Sequence, residues 1–316
     1  MKTLKIRVLC GLIITALALF VGIRLYYNLT DDFRLANIQY DTPNRSEWAV
    51  PPRSSSEASA LHEVLTQQFT YIGKGAQSYA FGSADGKYVI KFFKFKHLRP
   101  SFWLDYLPPI FGLQSYRDKQ YQRKERKLEG VFAGYRLAYL LHRHDSGLLY
   151  VHLNTTENLY PFLTVLDKMG WKHSIPLDDV VFILQERAET ARAVVHNLLK
   201  DRNIEGAKRK IDQIFDLYLS EYAKGIFDND HGVMRNVGFV GDHAIRIDVG
   251  KLKNSPSIRE LANYSHDLIM TGDRMIASLY QNENQDFTEL KTYIENKVSD
   301  IIGRPYIFST KIPKKP

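Results

Sequence analysis

The chain has 316 residues, 44% of them hydrophobic and 25% charged, which is typical of a globular protein with one large domain or two lobes. Its single cysteine, Cys10, excludes an intrachain disulfide and a metal site built from cysteines. The net charge of +8 indicates a polyanionic partner: a nucleic acid, a phosphorylated ligand or an anionic membrane.

Residues 1–28, "MKTLKIRVLCGLIITALALFVGIRLYYN", place three basic residues before sixteen uncharged, mostly apolar ones and then Arg24. A span typically needs about 20 residues, and the "LYY" that follows Arg24 extends this one toward an aromatic interface. The alternatives are a cleaved signal peptide, with "ALA" at 16–18 as the cleavage site, and a buried helix. We expect a single-pass membrane anchor. The positive-inside rule would leave the N-terminus in the cytoplasm and carry the rest of the chain across the membrane, and the topology itself stays open.

Residues 29–60 are predicted to be a linker, because "TPNRSEWAVPPRSSSEASA" is rich in Pro and Ser and lacks periodicity. The first lobe is expected over 61–188. It begins with "YIGKGAQSYAFGSADGKYVIKFFKFK", which predicts three strands separated by two turns. Gly73 and Gly75 mark the first turn, and Asp85-Gly86 is a hairpin signal in the second.

Lys91 is unusual, since strand alternation places it between Val89 and Phe93 on one face. An unpaired buried lysine is costly, so it requires an anionic partner. The alternative is an edge strand on which Lys91 faces water, among other lysines. The run of ten Lys or Arg and three acids between Lys91 and Lys127 is itself typical of a solvated face.

An aromatic insertion follows at 100–116, and we expect its apolar side chains to pack on the body of the protein rather than enter a membrane interface. These side chains are Phe102, Trp103, Tyr106, Leu107, Ile110 and Phe111. Next, "YQRKERKLEGVFAGYRLAYLLHRH" has the periodicity of a helix. Glu129 on this helix is either the partner of Lys91 or an exposed acid among basic neighbours.

Two further apolar runs, "PFLTVLDKMG" and "VVFILQER", are predicted strands. Helical patterns then dominate the second lobe, expected over 189–316. The chain is therefore predicted to be α+β, with a strand-rich half followed by a helix-rich half. The ten histidines are scattered, and His142 and His144 face different sides of the predicted helix, which gives no H-E-x-x-H spacing.

The segment "GIFDNDHGVMRNVGFVGDHAIRIDVG", residues 225–250, contains a hairpin about Gly241-Asp242. This register places Val240 opposite His243 and brings Asn236 near Asp248 at the open end. Asp230 lies in the preceding loop. Carboxylate and amide oxygens of this kind suit Mg²⁺. The alternative is a solvated surface hairpin.

The order of these features resembles the protein-kinase-like fold over about residues 65–280. The resemblance implies a bilobal α+β protein with a reduced helical second lobe, using ATP and Mg²⁺. It implies that Lys91 binds the α/β-phosphates, that Glu129 holds Lys91, that Asp230 is the catalytic base and that Asn236 and Asp248 bind Mg²⁺. The remaining nucleotide contacts that it implies are Gly73, Gly75, Ser78 and the hinge-like Gln185.

Several positions depart from the typical protein-kinase pattern. The catalytic loop reads "NDHGVMRN" rather than H-R-D, and Asn236 follows Asp230 by six residues instead of five. Asp228 is a possible substitute base, and Ser78 stands where a third loop glycine usually falls. The loop is more similar to that of aminoglycoside phosphotransferases, lipid kinases or HipA-like kinases than to Ser/Thr kinases.

Three functions remain open from the sequence. The first is a membrane-tethered phosphotransferase whose acceptor is a lipid, an envelope sugar or a protein. The second is a pseudokinase that serves as a binding or scaffolding module. The third is a membrane-anchored envelope protein that uses no nucleotide, which export across the membrane favours because ATP is scarce outside the cytoplasm. No nucleic-acid partner is expected, since no reader motif accompanies the basic charge.

Overall fold

The protein has two hydrophobic cores, one in each lobe of the chain. The computed structural model describes residues 2–39, 43–108, 112–280 and 285–308. The first core is built mainly between Phe33 and Leu184, and the second between Ala191 and Tyr306. Strands dominate the first and helices the second, which confirms the predicted α+β fold with a strand-rich lobe followed by a helix-rich lobe.

The first lobe is a curled sheet covered by one long helix. Its helices are α1 (Lys2–Leu29), α2 (Leu35–Ile38), α3 (Ser55–Leu65), α4 (Phe95–Leu98), α5 (Leu113–Leu141) and α6 (Arg143–Ser146). Its strands are β1 (Phe69–Lys74), β2 (Ser78–Ser83), β3 (Tyr88–Phe93), β4 (Leu148–His152), β5 (Phe162–Leu166), β6 (Lys172–Pro176) and β7 (Phe182–Glu186). Within the described residues they form one sheet in the order β4-β7-β3-β2-β1-β5-β6, in which only β1 and β5 run parallel.

Strand β6 lies in "WKHSIPLDD", the segment between the two apolar runs that the sequence predicted to be strands. It is one of the two edge strands of the sheet, and of its five residues only Ile175 is buried. A strand with a single buried side chain lacks the apolar alternation on which the prediction depended.

The second lobe is helical, with short strands that carry the loops of interest. Its helices are α7 (Ala191–Lys200), α8 (Ile204–Lys224), α9 (Val233–Asn236), α10 (Leu261–Leu279) and α11 (Gln285–Ile302). Its strands are β8 (Glu189–Thr190), β9 (Ile226–Asp228), β10 (Val237–Val240), β11 (His243–Arg246) and β12 (Leu252–Asn254). Strands β11, β10 and β8 form one small sheet, and β12 pairs with β9.

Helix α1 contains the membrane-spanning candidate. Residues Cys10–Leu29 are long and apolar enough to cross a bilayer, and their side chains are not buried in the protein. A signal sequence satisfies the same criterion. The end of the helix is tied to the first lobe, because the Tyr26 ring stacks on Trp171 with centroids 5.9 Å apart, and Phe33 is fully buried.

The predicted linker at 29–60 needs correction, because this segment packs on the first lobe. Phe33 and Ile38 are fully buried in the first core. Trp48 is also buried and meets the edge of Phe132 on α5 with ring centroids 4.9 Å apart. The composition is rich in Pro and Ser, and the buried residues are too widely spaced to give a periodic pattern in the sequence. Residues 40–42 lie outside the described part of the chain.

The aromatic insertion does not pack as predicted. Phe102 and Tyr106 are 78% and 81% exposed, and Trp103 is 47% exposed. A single 3₁₀ turn, Phe102–Tyr106, buries only Leu104, because one turn presents only one face to the body. Ile110 and Phe111 fall outside the described residues.

Candidate functional site

Lys91 lies in the centre of the first-lobe sheet. Strand β3 is paired on both sides, with Ala80 of β2 and Ile183 of β7 opposite Lys91, so the edge-strand alternative was wrong. The Lys91 Nζ donates to Gln185 Oε1 at 2.7 Å and to the Ile247 carbonyl at 2.5 Å. Burial lowers the pKa of Lys91 to about 8, although the charge of Asp248 opposes this shift. The ammonium therefore joins the first-lobe sheet to the segment before Asp248.

Gln185, on the neighbouring strand β7, orients this lysine. It is fully buried, and its Nε2 donates to the Ser146 carbonyl at 2.5 Å and to the Arg246 carbonyl at 3.1 Å. Both ends of the amide are thus used inside the protein. The implied contact of Gln185 with a nucleotide stays a prediction, while its observed role is to orient Lys91.

Glu129 lies in a different environment from the one that the sequence suggested. Its Oε1 accepts from Arg45 Nη1 at 2.7 Å, and Arg45 also reaches Glu125 at 2.8 Å. Among the described residues, no ion pair joins Lys91 and Glu129. The pairing expected from the resemblance therefore needs correction: Glu129 and Phe132 share the face of α5 that receives Arg45 and Trp48.

A different face of α5 packs on the segment from Asp248 to Gly250. A Cβ atom at Gly134 would lie 2.6 Å from the Val249 carbonyl oxygen and 3.0 Å from the Gly250 carbonyl carbon. At Gly250, a Cβ atom would lie 3.4 Å from the Tyr135 ring. The helix therefore approaches the Asp248 loop with almost no side chain between the two backbones.

Gly134→Ala is expected to lower the free energy of unfolding by about 1–3 kcal/mol, since the new methyl group must displace backbone. Gly130→Ala on the same helix is the matched control, because a Cβ there meets nothing within 4 Å. The control should be neutral or stabilising by about 0.5–1 kcal/mol. Denaturant titration of both variants measures the difference, and equal stabilities would contradict the close approach.

The hairpin of β10 and β11 has the predicted register. Val240 pairs with His243 and Val237 with Arg246. Beyond the strands, the Ile247 N–H donates to the Asn236 carbonyl at 2.7 Å. This bond places Asn236 directly beside the Ile247–Asp248 segment that Lys91 contacts.

Asp230 joins the same group. The Asn236 Nδ2 donates to Asp230 Oδ2 at 3.3 Å, and Lys251 lies 3.1 Å from the other oxygen. Partial burial favours a higher pKa for Asp230, but the hydrogen bond and charge of Lys251 outweigh it and the pKa falls below its usual value. Within the described residues, the exposed Asp248 carboxylate accepts only from the Gly250 N–H, at 3.2 Å. Lys91, Asp230, Asn236 and Asp248 thus gather where the two lobes meet.

Asp228 is not available as a substitute base. It is buried, and its Oδ2 accepts from Arg246 Nη1 at 2.9 Å, while its Oδ1 accepts from the Asp230 N–H at 2.9 Å. Asp228 therefore holds the Asp230 loop in place from inside the second lobe.

A buried charge network beneath the loop was missed by the sequence reasoning. Arg246 is fully buried and donates to both oxygens of Glu221, at 2.5 and 2.6 Å, as well as to Asp228. Glu221 also contacts His142 at 3.0 Å. The available signal was the position of Arg246 inside the apolar strand "HAIRI", where an arginine needs buried partners.

His231 is a second residue that was missed. Its φ of +51° is left-handed, a conformation rare outside glycine, and its Nε2 lies 2.7 Å from Asp267 Oδ1 on α10. The hydrogen bond to Asp267 raises the pKa of His231. The neighbouring Asp230 is therefore presented by a backbone that α10 constrains.

The glycine loop is the turn between β1 and β2. The Gly75 N–H donates to the Ser78 carbonyl at 2.9 Å, and Lys94 Nζ donates to the Gly75 carbonyl at 2.6 Å. Gly73 lies at a bulge in β1. The loop leads into β2, the strand that pairs with β3 beside Lys91, and its contact with phosphates stays a prediction.

Comparison with known proteins gives structural matches only. No model of a known protein family matches the chain, and no curated protein matches it in sequence. A 2.2 Å crystal structure of WbdD is similar at a TM-score of 0.34 and 14% identity, covering 71% of this chain and 44% of that one. A second structure, of "the bifunctional kinase-methyltransferase WbdD", matches at a TM-score of 0.34 and 12% identity, covering 76% and 45%.

The complex of Rv3197 with erythromycin, from Mycobacterium tuberculosis, matches at a TM-score of 0.32 and 16% identity, covering 84% of this chain and 75% of that one. This chain spans less than half the length of the WbdD chains. Similarity at this level does not identify an activity, so the interpretation of the site rests on its own geometry.

Proposed function

We propose that the protein is a membrane-tethered, kinase-like phosphotransferase that moves the γ-phosphoryl group of Mg·ATP to an acceptor. The observation that carries this proposal is the position of Lys91. Its ammonium comes from the central strand of the first lobe and binds the Ile247 carbonyl next to Asp248. A lysine with a lowered pKa beside carboxylates at a lobe junction is characteristic of a functional site.

The residues present fit a magnesium ion. Asn236 and Asp248 offer an amide and a carboxylate oxygen, the hard ligands that Mg²⁺ prefers, and a few protein ligands suffice because phosphate oxygens and waters supply the rest. When bound, the ion neutralises phosphate charge. Lys91 then binds phosphate oxygens, and the backbone N–H groups around Gly73, Gly75 and Ser78 cover the phosphates. Asp230 accepts the acceptor's proton after its carboxylate is released from Lys251.

The first-lobe contacts of α1 support an acceptor at the membrane surface. Tyr26 stacks on Trp171, and Asp31, just after the helix, pairs with Lys74 of the glycine loop at 2.9 Å. The lobe proposed to bind the nucleotide is thus fixed to the C-terminal end of the apolar helix α1. A lipid, an envelope sugar or a neighbouring protein suits this placement.

A nucleotide-binding pseudokinase is the second candidate. Two observations favour it: Glu129 is engaged by Arg45 instead of Lys91, and Asp230 is paired with Lys251. Both candidates predict nucleotide binding, and only the first predicts transfer of the γ-phosphoryl group.

The test is a calorimetric titration of the full chain in detergent micelles with ATP, with and without Mg²⁺, followed by an assay for loss of the γ-phosphoryl group. Magnesium-dependent binding with turnover supports the phosphotransferase. Binding without turnover, across lipid, sugar and protein acceptors, favours the pseudokinase. The absence of binding at millimolar ATP would overturn both and leave an envelope protein that uses no nucleotide.

Nucleotide affinity is expected to fall as pH rises through the pKa of Lys91, about 8, because only the ammonium binds phosphate. Protonation drops from about 90% at pH 7 to about 10% at pH 9, so Kd should rise about tenfold. Calorimetry at the two pH values measures the change. In Lys91→Met the dependence should disappear; an unchanged pH profile in that variant would assign the effect to another group.

A further inference from the structure

We propose that His144, Asp145 and His243 form a binding site for one divalent cation of the zinc class, which links the two lobes. His144 and Asp145 lie on α6 of the first lobe, and His243 begins β11 of the second. This site is distinct from the Lys91 site and does not depend on the proposed phosphotransferase activity.

The three ligand atoms already lie at coordination spacing. The Asp145 Oδ1 is 3.0 Å from His144 Nδ1 and 3.7 Å from His243 Nε2, and all three atoms lie within 4.8 Å of one another. Tetrahedral zinc with bonds of about 2.0–2.1 Å places neighbouring ligand atoms roughly 3.3 Å apart. Both imidazoles are exposed, so their side chains have room to adjust toward one ion.

The carboxylate is held in position for this role. Its other oxygen, Oδ2, accepts from Lys224 Nζ at 2.6 Å and from Ser220 Oγ at 2.9 Å. Both donors come from α8, so their hydrogen bonds to Oδ2 orient Asp145, and Oδ1 faces the two histidines. Outer-shell hydrogen bonds of this kind orient metal ligands.

A surface hydrogen bond between His144 and Asp145 explains only part of the arrangement. It leaves unexplained why His243, about a hundred residues later, places its Nε2 toward the same oxygen. The centroids of the His144 and His243 rings lie 4.5 Å apart. Among the described residues, this is the one group of three His, Cys, Asp or Glu with metal-binding spacing.

The chemistry selects the cation. Two imidazole nitrogens and one carboxylate suit Zn²⁺ or a neighbouring transition metal and disfavour Mg²⁺. His144 is 84% exposed and His243 44%, which leaves a coordination position for water. The ammonium of Lys224 weakens cation binding, so we expect a micromolar, exchangeable site rather than a structural one.

Occupancy of this site would act on the lobe junction. Strand β11 runs from His243 to Arg246, whose carbonyl accepts from Gln185, and the next residue contacts Lys91. At Gly147, immediately after α6, a Cβ atom would lie 2.8 Å from the Ile245 side chain, so α6 and β11 are already closely packed. A bound cation therefore adds a cross-link between α6 and β11, next to the segment that contacts Lys91.

The test is Zn²⁺ calorimetry and Co²⁺ absorption spectroscopy on the full chain without an affinity tag, in detergent and without nucleotide. We expect one Zn²⁺ per chain. We expect His243→Gln and His144→Gln each to weaken binding at least tenfold, and His266→Gln, an exposed histidine on α10, to bind as the wild type does. Co²⁺ should give the intense visible bands of low coordination in the wild type and in His266→Gln, and these bands should be lost in the His144 and His243 variants.

Absence of saturable binding below on the order of 100 µM Zn²⁺ would overturn the proposal. So would an affinity that survives in both histidine variants. Asp145→Asn is avoided, since this residue also bonds to α8 and its loss can perturb folding. Because the readout is metal binding alone, its result is independent of whether ATP binds at the Lys91 site.

Discussion

Arg246→Met is expected to lower the free energy of unfolding by about 3–5 kcal/mol, the largest stability effect of a single substitution that we predict for this chain. Arg246 is fully buried and neutralises two carboxylates, those of Glu221 and Asp228. The substitution leaves both acids in the interior without their cation. An uncompensated buried charge costs far more than the ion pair itself contributes.

The pH dependence of this effect identifies its cause. In the native protein, burial favours a raised pKa for Glu221, but Arg246 outweighs it and holds the pKa below the usual value. Without Arg246 that pKa rises above its unfolded value, so protonation relieves the cost as pH falls. Denaturant titration should therefore show a smaller destabilisation at pH 5 than at pH 7.

Arg209→Met is the matched control, because Arg209 is an exposed arginine on α8, the helix that carries Glu221. It should change the unfolding free energy by less than about 0.5 kcal/mol. A loss below about 1 kcal/mol in Arg246→Met, or a loss independent of pH, would show that the network does not stabilise the lobe through its charges.

Local signals accounted for the parts of the site that lie within one hairpin. Gly241-Asp242 alone defined the turn, and period-two alternation then placed Asn236 beside Ile247, as observed. The alternation around Lys91 indicated a lysine in need of an anionic partner, but the structure supplies two neutral acceptors, the Gln185 amide oxygen and the Ile247 carbonyl. Both inferences use neighbours within about ten residues, where the geometry of a strand is fixed.

The identity of that partner depended on contacts far apart in the sequence. Glu129 was the partner expected on α5, but the fold brings Arg45 to it from 84 positions away. Gln185 contacts Lys91 across 94 positions. Its place in an apolar strand gives no sign of this contact, which depends on the pairing of β7 with β3. Register between distant strands, and which face of α5 is covered, are set by the whole core rather than by local propensity.

Asp248 belongs to the metal-binding half of the proposed site. Asp248→Asn is expected to lower the magnesium-dependent part of ATP affinity, or turnover, by about 100-fold or more, because an amide is a weaker ligand for Mg²⁺ than a carboxylate. The fold should be preserved, since the exposed carboxylate accepts only a local backbone hydrogen bond among the described residues. Calorimetry with and without Mg²⁺ separates the metal-dependent contribution from nucleotide binding itself.

Two further carboxylate variants make this result specific to position. Asp242→Asn, at the exposed turn of the same hairpin, removes an equal charge away from the site and should change affinity less than about twofold. Glu129→Gln should also have a small effect, because its partner is Arg45 and not Lys91. If Glu129→Gln were as damaging as Asp248→Asn, the nucleotide-bound protein would have to exchange the Arg45 contact for one with Lys91. The observed pairing would then belong to a resting arrangement of α5, and α5 would move when nucleotide binds.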